Sequence, residues 1–486
     1  MANVDQSLIA FFSNLVQPTV LIFVVVLLLS LWMLSSRNPR VNWPPGPVCF
    51  PVVGSLPQMM ISGRRRQPTD LLPWYDIYGD IIHVKFGEQH MIMLGTYELI
   101  QEAFVKNAAS VSARPTWIYF IKRIVGKDGA GVIFKSGHEW KELRRFTLSS
   151  LRDLGLGRRS LEERIQDEAR YLVQNIEDEM GKAFSPINRI GKAVSNIISI
   201  IVFGARYDYN DTPEMLPVLE QAMRIGQGPL FFTNMARFLL PIKKIMALID
   251  KLYSLIRQEV ERHRQSFDPT DIRDFIDLFI KVTQEKQDPE IYTEWNVFRI
   301  IVDLYLAGTD TTANTLRWSL VHLMKRPDVQ KKVQQEIDQV IGQGRVAKME
   351  DKARMPFTEA TILEVFRMSP VAPLGAPHAT SETTNLAGYT IPKGTIILGD
   401  LYRVLHDKNN FEDPYKFIPE RWLDDDGPRV CLGKGLAEME SFIFFTTLLQ
   451  NFTFKVPEGE KPPDGVEGFN ASTFTPYSYN VCAVRR

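Results

Sequence analysis

Cysteine is scarce in this chain of 486 residues: Cys49, Cys431 and Cys482 are the only three, widely spaced and odd in number. That excludes a disulfide framework and, with no CxxC pair, the cysteine-rich zinc modules. The seven histidines are scattered and form no HExxH pair. Neither sign of charge is in excess, since Lys plus Arg and Asp plus Glu both number 57. Net charge therefore exerts no pull toward nucleic acid, and no nucleic-acid partner is expected. Intact GxGxxG and Walker patterns are missing too, because "GLGRRS" at 155–160 ends in serine. The chain thus has no dinucleotide site of its own by these motifs. Internal repeats and low-complexity segments are also absent.

What is present is a core-forming composition, 45% hydrophobic and 23% charged. From Gln6 to Ser36 no residue is charged, and "TVLIFVVVLLLSLWML" is almost wholly apolar. With its flanks this run reaches the roughly 20 residues of a membrane span. It lacks the preceding positive charge of a cleaved signal peptide, and Arg37 and Arg40 follow it, which predicts an uncleaved anchor with the body on the cytoplasmic side. The sequons at Asn210, Asn451 and Asn470 would then stay unglycosylated. Residues 38–54 carry five prolines and read as a semi-rigid spacer. "DIIHVKFGEQHMIML" predicts a hairpin around Gly87, and a mostly helical pattern runs from Thr96 to about Phe366. "GYTIPKGTIIL" predicts a second β region that turns at Pro392 and Gly394, and short β runs follow Asn451.

Several short patterns could carry chemistry. In "DLYLAGTDTTANTLRW" a polar patch interrupts an apolar helix, with Ala307 and Gly308 four and three positions before Thr311. Shared helical position predicts a hollow beside the Thr311 hydroxyl, and a bond from that hydroxyl to a carbonyl one turn earlier. Asp310 adds an acid next to it, which would suit proton delivery to a bound ligand; a surface or capping cluster is the plain alternative. Glu364 and Arg367 stand three apart before Pro370, Arg421 lies in "FIPERW", and Trp140 and Arg144 are four apart on one helical face. An indole and a guanidinium so placed could grip a carboxylate. Each pattern alone is commonplace.

In their order, and with "SARP" at 112–115 and "GPRVCLGKG" around Cys431, these patterns resemble the microsomal cytochrome P-450 family across essentially the whole chain. The local flavour of "PLGAPHATSE" and "CLGKGLAEME" is similar to the animal clan of drug-, steroid- and fatty-acid-oxidising members. The resemblance implies a mainly α fold with small β-sheets after one transmembrane helix. Its parts would be an anchor at 1–36, a hinge at 37–54 and a catalytic domain at 55–486. It implies heme b, iron protoporphyrin IX, held by the Cys431 thiolate, with Gly433 letting the next helix approach. Trp140, Arg144, His378 and Arg429 would hold the propionates. Asp310 and Thr311 would relay protons to bound O2, and Glu364, Arg367 and Arg421 would form a structural triad. An NADPH-dependent flavoprotein reductase would supply electrons, docking near Lys141, Arg145 and Lys434, with cytochrome b5 as a second donor. The substrate would be a lipophilic small molecule, a fatty acid, steroid or xenobiotic, and membrane lipid a partner, placing the protein at the endoplasmic reticulum.

One stretch departs from the family pattern. Only "LDDDGPRV" separates Trp422 from Cys431, Asp424 stands where the family has phenylalanine, and a dozen or so residues are missing. Nine residue steps span at most about 30 Å, which leaves little slack for a loop around a sulfur. An acid beside a thiolate also opposes its ionisation. A membrane-anchored, heme-poor isoform that binds ligands or partners without catalysis is therefore the alternative function.

Overall fold

The "IIHVKF" and "HMIML" runs form β1 (Ile81–Phe86) and β2 (Gln89–Leu94), paired antiparallel from Ile81 opposite Leu94 to Phe86 opposite Gln89. Gly87 takes a φ of 57° in the turn between them. We describe a computed structural model, covering residues 18–35, 42–50, 52–62, 67–210, 214–215, 217–218, 221, 242–286, 290–423, 433–470 and 473–486. Arg429 and Cys431 lie outside the described residues.

The hairpin belongs to a four-stranded sheet of order β1-β2-β7-β4, in which β7 (Ile396–Gly399) runs parallel to β2 and antiparallel to β4 (His378–Ala379). Alternate residues serve two cores: Ile82, Val84, Met91, Met93 and Leu398 pack on one face, and Ile81, Ile92, Leu94 and Ile397 on the other. The turn at Pro392 and Gly394 does not close a hairpin. It leads from β6 (Tyr389–Ile391), which pairs with β5 (Thr384–Leu386), across to β7 in the other sheet. The tail supplies β8 (Phe452–Lys455) and β11 (Val481–Arg485), which pair with each other, and the short β9–β10 ribbon (Gly468–Asn470, Phe474–Pro476).

The large core is helical. Its axis is the helix Glu294–Lys325, 32 residues or about 48 Å long, started by the Thr293 side chain accepting from Asn296 N and ended ahead of Pro327. Around it lie Gly137–Asp153, Arg159–Glu177, Ile187–Phe203, Pro356–Met368 and Lys434–Asn451, the last buried on every side from Met439 to Gln450.

The apolar N-terminal run does form a helix, Pro18–Ser35. At 1.5 Å per residue its 18 residues span about 27 Å, against a hydrocarbon core of about 30 Å. Among the described residues no helix is long and apolar enough to cross a membrane, so the expected span is not found in the structure. Where described, the proline-rich segment packs against the β1–β2 hairpin. Trp43 stacks on His83 and His90, and His83 N donates to Pro45 O at 2.9 Å.

Candidate functional site

Buried side chains on an interior helix become accessible only where the packing leaves an opening. On the long helix Glu294–Lys325 this happens once in mid-course: Ala307 is exposed and Leu306, Gly308, Asp310 and Thr311 are half-buried, while Val302, Asp303 and Tyr305 before them and Thr312 to Ser319 after them are buried. Thr311 Oγ1 donates to Ala307 O at 2.7 Å, yet the helix continues unbroken. The opening is not made by Gly308. A Cβ there would meet Ile198 Cδ1 at 2.3 Å, so this glycine serves the approach of helix Ile187–Phe203, and the small side chain at the opening is Ala307. A separate polar cleft of about 460 Å³ beside Tyr171, Arg206 and Tyr209 touches none of these residues.

Near one end of the β1-β2-β7-β4 sheet the chain gathers cations. Ser136 precedes helix Gly137–Asp153 and its Oγ accepts from Arg114 N at 3.2 Å. Arg114 Nη1 donates to Pro377 O at 2.6 Å, next to His378. From that helix Arg144 lies over the Trp140 ring, 5.6 Å to the centroid, while the indole N–H goes to Val132 O at 3.1 Å. Among the described residues no carboxylate pairs with Arg114 or Arg144, although both are half-buried. Burial lowers the Arg114 pKa, which marks a cation short of a counter-charge.

His378 Nδ1 lies 3.0 Å from Val111 O. A carbonyl only accepts, so Nδ1 carries the proton and Nε2 offers a lone pair. Burial, then Arg114, pushes this imidazole down to about 4. His378 could therefore hold a carboxylate only after taking up a second proton, which the carboxylate itself would favour. Arg114 was missed by the motif reading; its signal was the arginine inside "SARP".

Glu364 and Arg367 are fully buried and doubly bonded, Arg367 Nε to Oε2 and Nη2 to Oε1, both at 2.8 Å. Arg421 Nε reaches Glu364 Oε1 at 3.2 Å, and Ile418 N and Trp422 Nε1 also donate to Glu364, at 2.9 and 2.8 Å. Trp422, too, was missed, since an indole 58 positions away leaves no mark on a spacing of three.

Gly433 caps helix Lys434–Asn451, and a Cβ there would meet no described atom within 4 Å, so close approach by a described element is not what glycine permits there. Two turns along, Glu440 is wholly buried, with its carboxyl beside the Thr312 side chain and no close hydrogen bond among the described residues. Burial raises it to about 8, and nearby Thr312 offsets only part of this. At neutral pH it is mostly a protonated acid beside the long helix. A lone Glu in "LAEMES" had offered no reason to single it out.

The family model "Cytochrome P450" matches residues 44–483. The chain belongs to the cytochrome P-450 family. It is 37% identical to mouse cytochrome P450 2B19 over 94% of this chain and 99% of the relative. It is 37% identical to rat cytochrome P450 2J3 over 93% of each, and 35% identical to rat cytochrome P450 2C6 over 97% of this chain and 99% of the relative. The mouse alignment extends over 492 positions, to which 94% of 486 residues contributes about 457, so about 35 positions of the relative have no counterpart here. As a P-450 the protein is a monooxygenase of the oxidoreductase class, and its family works with heme, O2 and NADPH-derived electrons delivered by a reductase. The described residues suit that cofactor on two counts. An opening lies along the central helix, and two partly buried guanidiniums lack a carboxylate where a dianionic ligand edge would need them.

Proposed function

We propose that this P-450 is a heme-thiolate monooxygenase of the endoplasmic reticulum membrane that oxidises a lipophilic fatty acid, steroid or xenobiotic. The opening along Ala307–Thr311 carries this reading, because the Asp310 carboxyl and the Thr311 hydroxyl are half-buried beside exposed Ala307 on a helix that is otherwise largely buried. Bound through a thiolate, heme supplies O2 activation, the sulfur pushing electron density through the iron. In this reading Cys431 is that ligand, and the N-terminal end of helix Lys434–Asn451 favours its ionised form. Arg114 and Arg144, with Arg429, hold the propionates; His378 joins them as an imidazolium, and Trp140 fixes the loop at Val132. Thr311 Oγ1, resting on Ala307 O, accepts a proton from the side of Asp310 and passes one on into the opening. Glu364, Arg367 and Arg421 hold the Pro419–Trp422 turn that precedes the cysteine segment.

Electrons come from the NADPH-dependent reductase, with cytochrome b5 as a second donor. Lys141 is exposed for docking, and among the described residues Arg145 and Lys434 pair with acids of their own helices. The N-terminal apolar helix, in which Leu21, Ile22 and Phe23 are all at least 60% exposed, acts as the membrane anchor in this reading, with flanking residues completing the span.

The short approach to Cys431 favours a second reading, a heme-poor isoform. The carbon monoxide difference spectrum of the reduced, membrane-expressed protein decides between them. A red-shifted thiolate band is expected. A flat spectrum, or the band of a neutral-thiol or histidine-ligated heme, would overturn the monooxygenase reading for this chain.

A further inference from the structure

We propose that Arg299 is the receptor for the carboxylate of an amphipathic acid substrate, with Asp303 as the internal carboxylate that occupies it when no ligand is bound. The inference rests on the reading above for where the substrate's tail lies, since it deepens that site and names a substrate class. Residues 299, 303, 307 and 311 are spaced by four and drift only slowly round the helix. Asp303 therefore stands about 40° round the helix and about 6 Å along its axis from Ala307, and Arg299 about 80° round and about 12 Å along, so the pair flanks the face that opens at Ala307.

Both side chains are buried, Arg299 at 5% and Asp303 at 1% exposure. Over them lies the loop 129–133. Val132 N and Ile133 N donate to Asp303 Oδ2 at 2.8 and 3.0 Å, and a Cβ on Gly131 would meet that same oxygen at 2.3 Å. Asp303 thus clamps the loop. Among the described residues Arg299 has no bond to the loop in this clamp: it holds Asp303 Oδ1 through one long contact, Nη2 at 3.3 Å, and its Nε finds no partner.

A loop clamp needs the acceptor oxygen of Asp303 and has no use for a guanidinium buried behind it. An interior cation with an idle N–H is costly, and Arg367 has an acceptor for every N–H; Arg189 Nε and Arg421 Nη2 share the idle state among the described residues, but those side chains reach the surface whereas Arg299 is buried. Burial lowers the Arg299 pKa and raises that of Asp303, so neither fully compensates the other. The idle Nε beside a weakly held Nη2 presents one edge of a guanidinium, the geometry that takes two carboxylate oxygens side by side. A ligand carboxylate would enter as the loop lifts, with Gly126 and Gly137 at its ends in left-handed conformations that ease the movement. Its apolar tail would run past Leu304 and Ala307, presenting carbons remote from the acid to the reactive opening.

The test uses purified full-length protein and equilibrium dialysis of radiolabelled lauric acid and methyl laurate. The acid is expected to bind at least about tenfold more tightly than the ester, the worth of one charge-assisted contact. Asp303→Asn keeps an oxygen for the loop while releasing the guanidinium, and should strengthen acid binding about tenfold without changing the ester. Because Arg299→Met alone would leave Asp303 unpaired and could unfold the chain, the deciding variant is Arg299→Met/Asp303→Asn. It should bind acid and ester alike. Equal binding of acid and ester by the natural protein, no gain in Asp303→Asn, or a preference for the acid surviving in the double variant would each overturn the proposal. Dialysis does not depend on heme. Acid preference with a flat carbon monoxide spectrum would sink the oxygenase reading alone, and a thiolate band without acid preference would sink this one alone.

Discussion

Two buried acid–arginine pairs sit on neighbouring helices of this protein and are built to opposite standards. Glu364 accepts five hydrogen bonds, from Arg367 twice, Arg421, Ile418 N and Trp422, and Arg367 spends its remaining donors on the carbonyls of Leu405, Pro414 and Lys416. Among the described residues Arg299 and Asp303 share one contact of 3.3 Å and leave Nε idle. A buried charge pair is stabilising only when the rest of its hydrogen-bonding capacity is used. By that criterion the first pair is a fixed joint between Pro356–Met368 and the turn at Pro419–Trp422, and the second has capacity to spare for a ligand.

The largest expected effect comes from breaking the satisfied pair. Glu364→Ala strands Arg367 and two N–H donors in the interior, and should cost about 3–5 kcal/mol, measured by chemical denaturation. A loss under about 1 kcal/mol would make the joint dispensable.

Glu440 extends the comparison to a buried carboxyl with no cation beside it among the described residues. Its folded pKa, about 8, is above the ordinary 4.5, so the folded state keeps its proton while the unfolded chain releases it. Between these values stability should fall as pH rises, by up to about 1.4 kcal/mol per unit, and level off above about 8. Glu440→Gln should remove that slope and be more stable than the natural protein at pH 7 by about 3 kcal/mol, read from denaturation at pH 5, 6, 7 and 8. Parallel pH profiles would mean that Glu440 is compensated after all.

The smallest effect is expected where the pairing is loosest. Arg299→Met/Asp303→Asn should lie within about 1 kcal/mol of the natural protein, because neutralising a poorly satisfied buried pair is close to neutral. A loss as large as that of Glu364→Ala would show the pair to be a joint like the other.

Much of the fold was legible in the sequence. Two β-rich runs around Gly87 announced the β1–β2 hairpin, and the mostly helical pattern from Thr96 to about Phe366 announced the helices that include Glu294–Lys325. The spacing of Glu364 and Arg367 made them neighbours on any helix. Pattern could not show that β6 and β7, seven residues apart from Tyr389 to Ile396, belong to different sheets, because pairing partners are chosen by chain segments hundreds of residues away. It misplaced the role of Gly308 for the same reason, since Ile198 is remote in sequence.

By itself the sequence determined the order of motifs, and with it the family, the class of chemistry and the helix on which Asp310 and Thr311 stand. Those follow from residue types and local periodicity, which any folded form must respect. Only the tertiary structure decided which buried charges are satisfied: that Trp422 and Ile418 N complete Glu364, that nothing described completes Glu440, and that Arg299 keeps an N–H in reserve. Hydrogen-bond satisfaction depends on ångström-scale placement of groups contributed by distant segments, and no spacing along one chain encodes it.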